Sequence, residues 1–408
     1  MATTAEGRAT GRATAQGPAA VGAGEEARGA AVRPPVQGTV AAGYEAVREA
    51  LLDAVAREPG LQAQVAVHVR GERVVDLAVG LPLDALLPVY STGKGAVHLT
   101  VALLAQDGVL DLDRRVADDW PEFAAHGKDV LTVRDVLTHR AGLLGVPERF
   151  GLDELADDDA IAARLAPLAP SWAPGTGYGY HAFVVGALLG EAVRRQTGLS
   201  LRQVYADRVR APRGLDLHLG LPASLDGRVL DVLPALLTDA EQAQRAAATP
   251  PRDSHLSVAF NLDADPPTDI VTVGNTTAVR RLGQTSAGAV GNARGLAGLY
   301  AAATGADGAG ALLDADTLAA VSALATPGTD LVTGEADHFG LGFERPQNLY
   351  PFLGPTAFGH SGATGAQAFA DPAGGVAFGY TRRRFSAAGN IAPEVEALAR
   401  AAVEAAAR

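Results

Sequence analysis

The chain has 408 residues, 48% of them hydrophobic and 20% charged, enough to bury one large core or two interleaved ones. Its formal net charge of −12 repels phosphate backbones and argues against a nucleic-acid partner. It contains no cysteine, so disulfides, thiolate catalysis and cysteine-ligated metals are excluded, and no apolar run reaches the ~18 residues of a membrane span.

Residues 1–38 are rich in alanine, glycine and threonine, lack a periodic apolar face, and read as a disordered tail. They hold no apolar stretch of the kind a secretory leader needs, which predicts a cytoplasmic protein without membrane association. Residues 44–58 place Val47, Leu51 and Val55 on one helical face, closed by Pro59 and Gly60. Val65, Val67 and Val69 then alternate, Arg70-Gly71-Glu72 turns the chain, and residues 73–80 return as the second strand of a hairpin. A mainly helical stretch follows. One helix runs from Ser91 to about Asp107 with Val97, Val101 and Leu104 in register; another covers 131–139 with Thr132 as N-cap; a third covers 181–198 and ends at Gly198.

Residues 250–290, rich in proline, aspartate and threonine, read as irregular, and helix resumes over 291–305. Residues 365–372 and 375–383 form a late hairpin across Ala373-Gly374-Gly375, and Pro393 opens a last helix. Strands at both ends with helices between predict an α+β fold. One antiparallel sheet, flanked by terminal helices, is built from both ends of the chain, and a cleft separates it from a mainly helical part. On this reading the tail 1–38 precedes one catalytic domain, 39–408. Residues 39–88 and 310–408 form its sheet part and 89–309 its helical part.

Three motifs carry chemistry. Lys94 and Lys128 are the only lysines among 34 basic residues, and lysine, unlike arginine, can shed its proton when buried. Lys94 stands three residues after Ser91, which puts the amine one helical turn above the hydroxyl, where a neutral lysine can take the serine proton. The helix N-terminus adds free N–H groups for a developing oxyanion. Tyr180 lies at a loop–helix junction, where a phenol can shuttle protons if a nearby cation lowers its pKa. His360-Ser361-Gly362-Ala363 precedes the late strand; its glycine lets a substrate lie close to the backbone, and the next N–H can donate to an oxyanion.

Ser-x-x-Lys, a mid-chain Tyr and a late His-x-Gly, in that order, resemble the motifs of the penicillin-recognising serine enzymes. The likeness is closest to the class C β-lactamase branch of the β-lactamase/penicillin-binding-protein superfamily, with its carboxylesterase and acyltransferase relatives. It covers roughly residues 44–400 and extends to the stretches 89–123, 131–143, 177–198, 291–300 and 338–343. The resemblance implies that Ser91 is acylated, that Lys94 eases its deprotonation, and that Tyr180, not Tyr178, is the catalytic tyrosine. It puts His360 where β-lactamases carry the lysine of Lys-Thr-Gly, and makes the backbone N–H groups of Ser91 and Ala363 the oxyanion hole. Gly362 and Ala182 would contact substrate. Ala182 stands in place of an asparagine and His360 in place of a permanent cation, and both departures point away from β-lactams and toward the esterase branch.

The function so implied is a serine carboxylesterase acting on small or medium acyl esters through a covalent acyl-enzyme, with no cofactor and no metal. An acyltransferase of natural-product biosynthesis, passing the acyl group to an amine or alcohol, is the alternative, and a β-lactamase or D-amino-acid peptidase ranks third. An α/β-hydrolase built on Ser361 is excluded because no histidine follows His360. The nine histidines include no His-x-x-x-His pair, so a metal enzyme finds no support. A dead scaffold of the same fold has no physical reason to keep Ser91, Lys94 and Tyr180 together.

Overall fold

The alternating valines of residues 63–79 become the middle of a six-stranded antiparallel sheet. The computed structural model describes residues 35–266, 268–389 and 391–408. Its main strands are β1 (Val36–Val40), β2 (Ala63–Val69), β3 (Glu72–Val79), β4 (Phe358–Gly362), β5 (Ala366–Asp371) and β6 (Val376–Arg382). They lie in the order β1-β3-β2-β6-β5-β4, so the two ends of the chain meet where β2 pairs with β6, Val65 opposite Tyr380 and Val67 opposite Phe378. The expected α+β architecture is present.

The helices that position the sheet and the site are α1 (Glu45–Arg57), α2 (Lys94–Gln106), α3 (Val185–Thr197), α4 (Ala293–Thr304) and α5 (Glu394–Ala406). Val65, Val67, Phe378 and Tyr380 share one buried cluster with Val47 and Leu51 of α1 and Leu398 and Ala402 of α5. The opposite sheet face meets α4, where Ala66 packs on Ala293 and Ala297. Gly379 permits that approach, because a Cβ there would lie 2.5 Å from the Ala297 nitrogen. Helix α4 thus lies on the sheet, although the sequence grouped it with the helical part. Thr132 caps Val133–Leu137 in a capping box with Asp135, and Gly198 closes α3 in the left-handed region, as their chemistry dictates.

Two strands of the main sheet were not foreseen. Residues 1–34 of the expected tail lie outside the described residues, but Val36–Val40 pairs with β3. Gly38, at φ +103°, makes this pairing possible, since a Cβ there would meet the Asp76 carbonyl at 1.9 Å. Phe358–Gly362, read as a turn, is the edge strand β4, with His360 opposite Ala368. A small three-stranded sheet also joins Leu87–Pro88, Val290–Gly291 and Leu217–His218 and fixes the chain just before Ser91. The stretch 250–290 contains three short helices, His255–Ala259, Ile270–Asn275 and Thr277–Leu282. No helix among the described residues is long and apolar enough to cross a membrane.

Candidate active site

Ser91 lies in a 3-10 turn, Tyr90–Gly93, that runs directly into α2. The residue before it, Tyr90, sits at φ +50°, a conformation that a bulky side chain keeps only when its surroundings enforce it. They do: the Tyr90 hydroxyl donates to the Ile270 carbonyl at 2.7 Å, and its ring meets Phe385 edge-on at 5.4 Å. Edge strand β4 presses on the same turn. A Cβ on Gly362 would lie 2.2 Å from Thr92 Oγ1 and 2.7 Å from the Val89 carbonyl. The missing side chain makes room for the turn; Gly362, expected to contact substrate, also lines the cavity over Ser91. Nothing in the local sequence marked Tyr90.

Lys94 Nζ is fully buried, 2.9 Å from Ser91 Oγ, and 2.7 Å from each of the carbonyls of Ala182 and Ser286. Burial pulls its pKa from 10.5 down to about 7, against the opposing charge of Glu344. A neutral amine has two N–H donors and one lone pair. With the donors on the two carbonyls, the lone pair is left for the serine proton. Ala182, expected to touch substrate, lines the cavity and also anchors the amine through its carbonyl.

Two neighbours hold the Ser286 carbonyl in place. Ser286 Oγ accepts from Gly186 N at 2.8 Å, and Thr285 donates through its hydroxyl to buried Asp158 at 2.8 Å. Burial raises the Asp158 carboxyl to about 6, with the Thr285 hydrogen bonds opposing.

On the other side of Ser91, the Tyr180 hydroxyl donates to Oγ at 2.8 Å. Tyr178 instead donates to the Gly328 carbonyl, away from the serine. Burial pushes the Tyr180 phenol well above its ordinary range; its hydrogen bond to Ser91 opposes this without reversing it. The expectation of a phenol lowered by a nearby cation is thus overturned, because the adjacent lysine is itself held toward neutrality. Tyr180 is a proton donor at neutral pH.

His360 is the second correction. As the middle residue of β4 it is fully buried, and Ser361, Gly362 and Ala363 line the cavity while His360 does not. Its Nδ1 is 2.8 Å from the Ser361 carbonyl and 3.1 Å from Glu344 Oε1, so this nitrogen carries the proton. Burial lowers its pKa to about 4, leaving it neutral, and its ring lies beside those of Tyr180 and His98. It cannot substitute for a substrate-facing lysine. His139 and His181 are buried neighbours of Tyr180, with the His181 backbone N–H donating to His139 Nδ1 at 3.2 Å.

The charges that do face the cavity escaped the sequence reading. Glu344, Glu335 and His338 all line it. His338 Nδ1 is 2.6 Å from Glu335 and its Nε2 is 3.9 Å from Glu344; although burial works against the imidazolium, these partners raise its pKa to about 10. Burial likewise opposes ionisation of Glu344, but the charged His338 and the Ser361 hydrogen bonds hold it below the usual carboxylate range. The only local hint was a glutamate closing the apolar run 339–343.

Around Ser91 these groups enclose a narrow cavity of about 80 Å³. Ser91, at the turn, and Ala363, one residue past β4, both border it. The arrangement offers a hydroxyl with a base on one side and an acid on the other, the parts needed to attack a carbonyl and protonate a leaving group. No cluster suited to a metal ion is present among the described residues.

Comparison with known proteins agrees with this geometry. A family model described as Beta-lactamase matches residues 49–401. The esterase/beta-lactamase LipL of Mycobacterium tuberculosis is 35% identical over 180 residues, 41% of this chain and 42% of that protein. The chain spans less than half the length of the curated relatives it matches. Among solved structures, EstA from Arthrobacter nitroguajacolicus Rue61a superimposes with a TM-score of 0.82 at 37% identity, over 91% of this chain and 99% of that one. A family VIII carboxylesterase does so with a TM-score of 0.80 at 34% identity, over 91% and 100%.

Proposed function

The chain belongs to the Beta-lactamase family, and on that premise we propose that it is a serine carboxylesterase working through an acyl-enzyme on Ser91. The observation that carries the reading is the pinned amine of Lys94, whose two carbonyl partners leave its lone pair facing the Ser91 hydroxyl at 2.9 Å. In acylation the Ser91 proton passes to Lys94 and Oγ bonds to the ester carbonyl carbon. The N–H groups of Ser91 and Ala363 take the charge on the oxygen. Tyr180 gives its proton to the departing alkoxide and is replenished from the Lys94 ammonium. Water then attacks the acyl-Ser91 ester by the reverse route, releasing the acid. Lys94 is the base and Tyr180 the acid, because burial drives the first toward neutrality and keeps the second protonated.

The charges lining the cavity favour esters over β-lactams. The one cationic side chain among its described lining residues, His338, is held between Glu335 and Glu344, so no unpaired cation awaits a substrate carboxylate. The likeness to EstA and to a family VIII carboxylesterase points the same way. The test is p-nitrophenyl butyrate cleavage by wild type and Ser91→Ala, with and without amine and alcohol acceptors, alongside nitrocefin. Steady turnover in water, abolished by Ser91→Ala, with nitrocefin far slower, is the expected result. A single stoichiometric burst that turns over only with an acceptor would make the protein an acyltransferase. Equal rates on nitrocefin and ester would overturn the esterase reading.

A further inference from the structure

A second, wider cavity of about 860 Å³ adjoins the narrow one over Ser91. The two share the walls Phe183, Phe260, Ile270 and Ala363. The wide chamber continues between residues 260–264, 268–270 and 385–389; Leu262 and Phe385 add to the shared apolar walls, and the charged side chains at its wall are Arg245, Asp263 and Asp269. Its volume falls within the usual range for small-molecule pockets, whereas the slot above the serine has room for little more than the reacting ester group.

The position of this chamber relative to the reacting atoms is informative. Ala363, whose N–H is assigned to the oxyanion, borders both cavities. Tyr180, assigned to the leaving oxygen, borders only the narrow one, as do Glu335, His338 and Glu344. The chamber thus reaches the reacting centre past Ala363 and past Phe260, whose ring lies 6.0 Å from that of Tyr180, and the charged wall of Glu335, His338 and Glu344 belongs to the narrow cavity alone. We propose that the chamber holds the acyl arm of the substrate, and that the substrates are esters of long or bulky apolar acids with a small, uncharged or polar alcohol. This rests on the acyl-enzyme reading above, and it shifts the acyl group from the small or medium size expected from sequence to a large one. Part of its wall, residues 260–264 and 268–270, comes from the stretch that carried no recognisable motif; a binding wall of scattered side chains leaves no sequence signature.

The experiment compares p-nitrophenyl acetate, butyrate, octanoate and decanoate, each below its micellar concentration, on wild type, Leu262→Asp, Ala388→Trp and Ser91→Ala. Leu262 and Ala388 are both exposed at the chamber wall, so both changes alter the chamber without disturbing the core. Burying several more methylenes is expected to raise wild-type kcat/KM by about tenfold or more from butyrate to decanoate. Leu262→Asp and Ala388→Trp should abolish that rise, lowering kcat/KM for decanoate about tenfold more than for butyrate. A wild-type optimum at acetate or butyrate, or equal losses on all four esters in both variants, would overturn the proposal. So would a rise with alcohol length in a series of alkyl acetates that the same variants remove, since it would put the leaving group in the chamber. Absence of Ser91-dependent cleavage of every ester would instead overturn the hydrolase reading on which the proposal stands.

Discussion

Replacing Lys94 with methionine separates the cost of burying the amine from its use. Bringing a lysine from 10.5 to about 7 corresponds to about 5 kcal/mol of discrimination against its charged form. The folded-state value is depressed, so between these two pH values the unfolded chain binds the proton and the folded chain does not. Stability therefore rises with pH across that window, and the full cost is present below about pH 7. Lys94→Met removes this cost but leaves the carbonyls of Ala182 and Ser286 without their donor, at about 1–3 kcal/mol each. At pH 7 the variant is expected to lie between about 1 kcal/mol less and 3 kcal/mol more stable than wild type. By pH 9.5 the wild type has shed most of the penalty, and the comparison should move against the variant by about 3 kcal/mol. Urea denaturation at the two pH values measures this. In parallel, wild-type kcat/KM for p-nitrophenyl butyrate should rise with pH through about 7 and then level off, and Lys94→Met should lose about 10²–10⁴-fold of it. A stability difference that is the same at pH 7 and 9.5 would refute the buried neutral lysine, and retained activity would refute its role as base.

Two other substitutions probe the supports of the site. Gly362→Ala forces a Cβ to within 2.2 Å of Thr92 Oγ1, pushing β4 away from the Ser91 turn and parting the two N–H donors. A loss of about 10²–10³ in kcat is expected, that of one oxyanion donor, with the circular dichroism spectrum unchanged; wild-type rates would contradict it. Asp158→Asn removes a buried carboxyl raised to about 6. Because that value is raised, the wild type loses stability from this group as pH climbs from about 4 to 6, and the asparagine does not. The variant should gain on the wild type by up to about 3 kcal/mol across that window, read by chemical denaturation; a pH-independent difference would contradict the assignment.

Much of this was legible in the sequence because it depends on local spacing. Ser91 and Lys94 are three residues apart on one helix, so their contact follows from helical geometry once the helix is recognised. The caps at Thr132 and Gly198 likewise depend on the chemistry of single residues. What failed depended on strand parity and tertiary approach. Phe358–Gly362 contains two glycines and is almost wholly buried, so it shows no alternation and reads as a turn. Only when β4 pairs with β5 is it decided that His360 is enclosed and Ser361 borders the cavity. Glu335, His338 and Glu344 meet through a folded loop and the edge strand, and no periodicity forecasts an ion cluster of that kind. The raised Tyr180 phenol was misjudged because burial, which sequence does not display, and not a nearby cation, sets its protonation.

The central claim is that Ser91 becomes acylated. Rapid quenching of the protein in acid during turnover of p-nitrophenyl butyrate or decanoate, followed by peptide mass spectrometry, tests it directly. One acyl group on the peptide containing Ser91, absent from Ser91→Ala and accumulating in Gly362→Ala only at its reduced rate, is the predicted result. Continued turnover with no adduct, or an adduct on Ser361 or another residue, would contradict it.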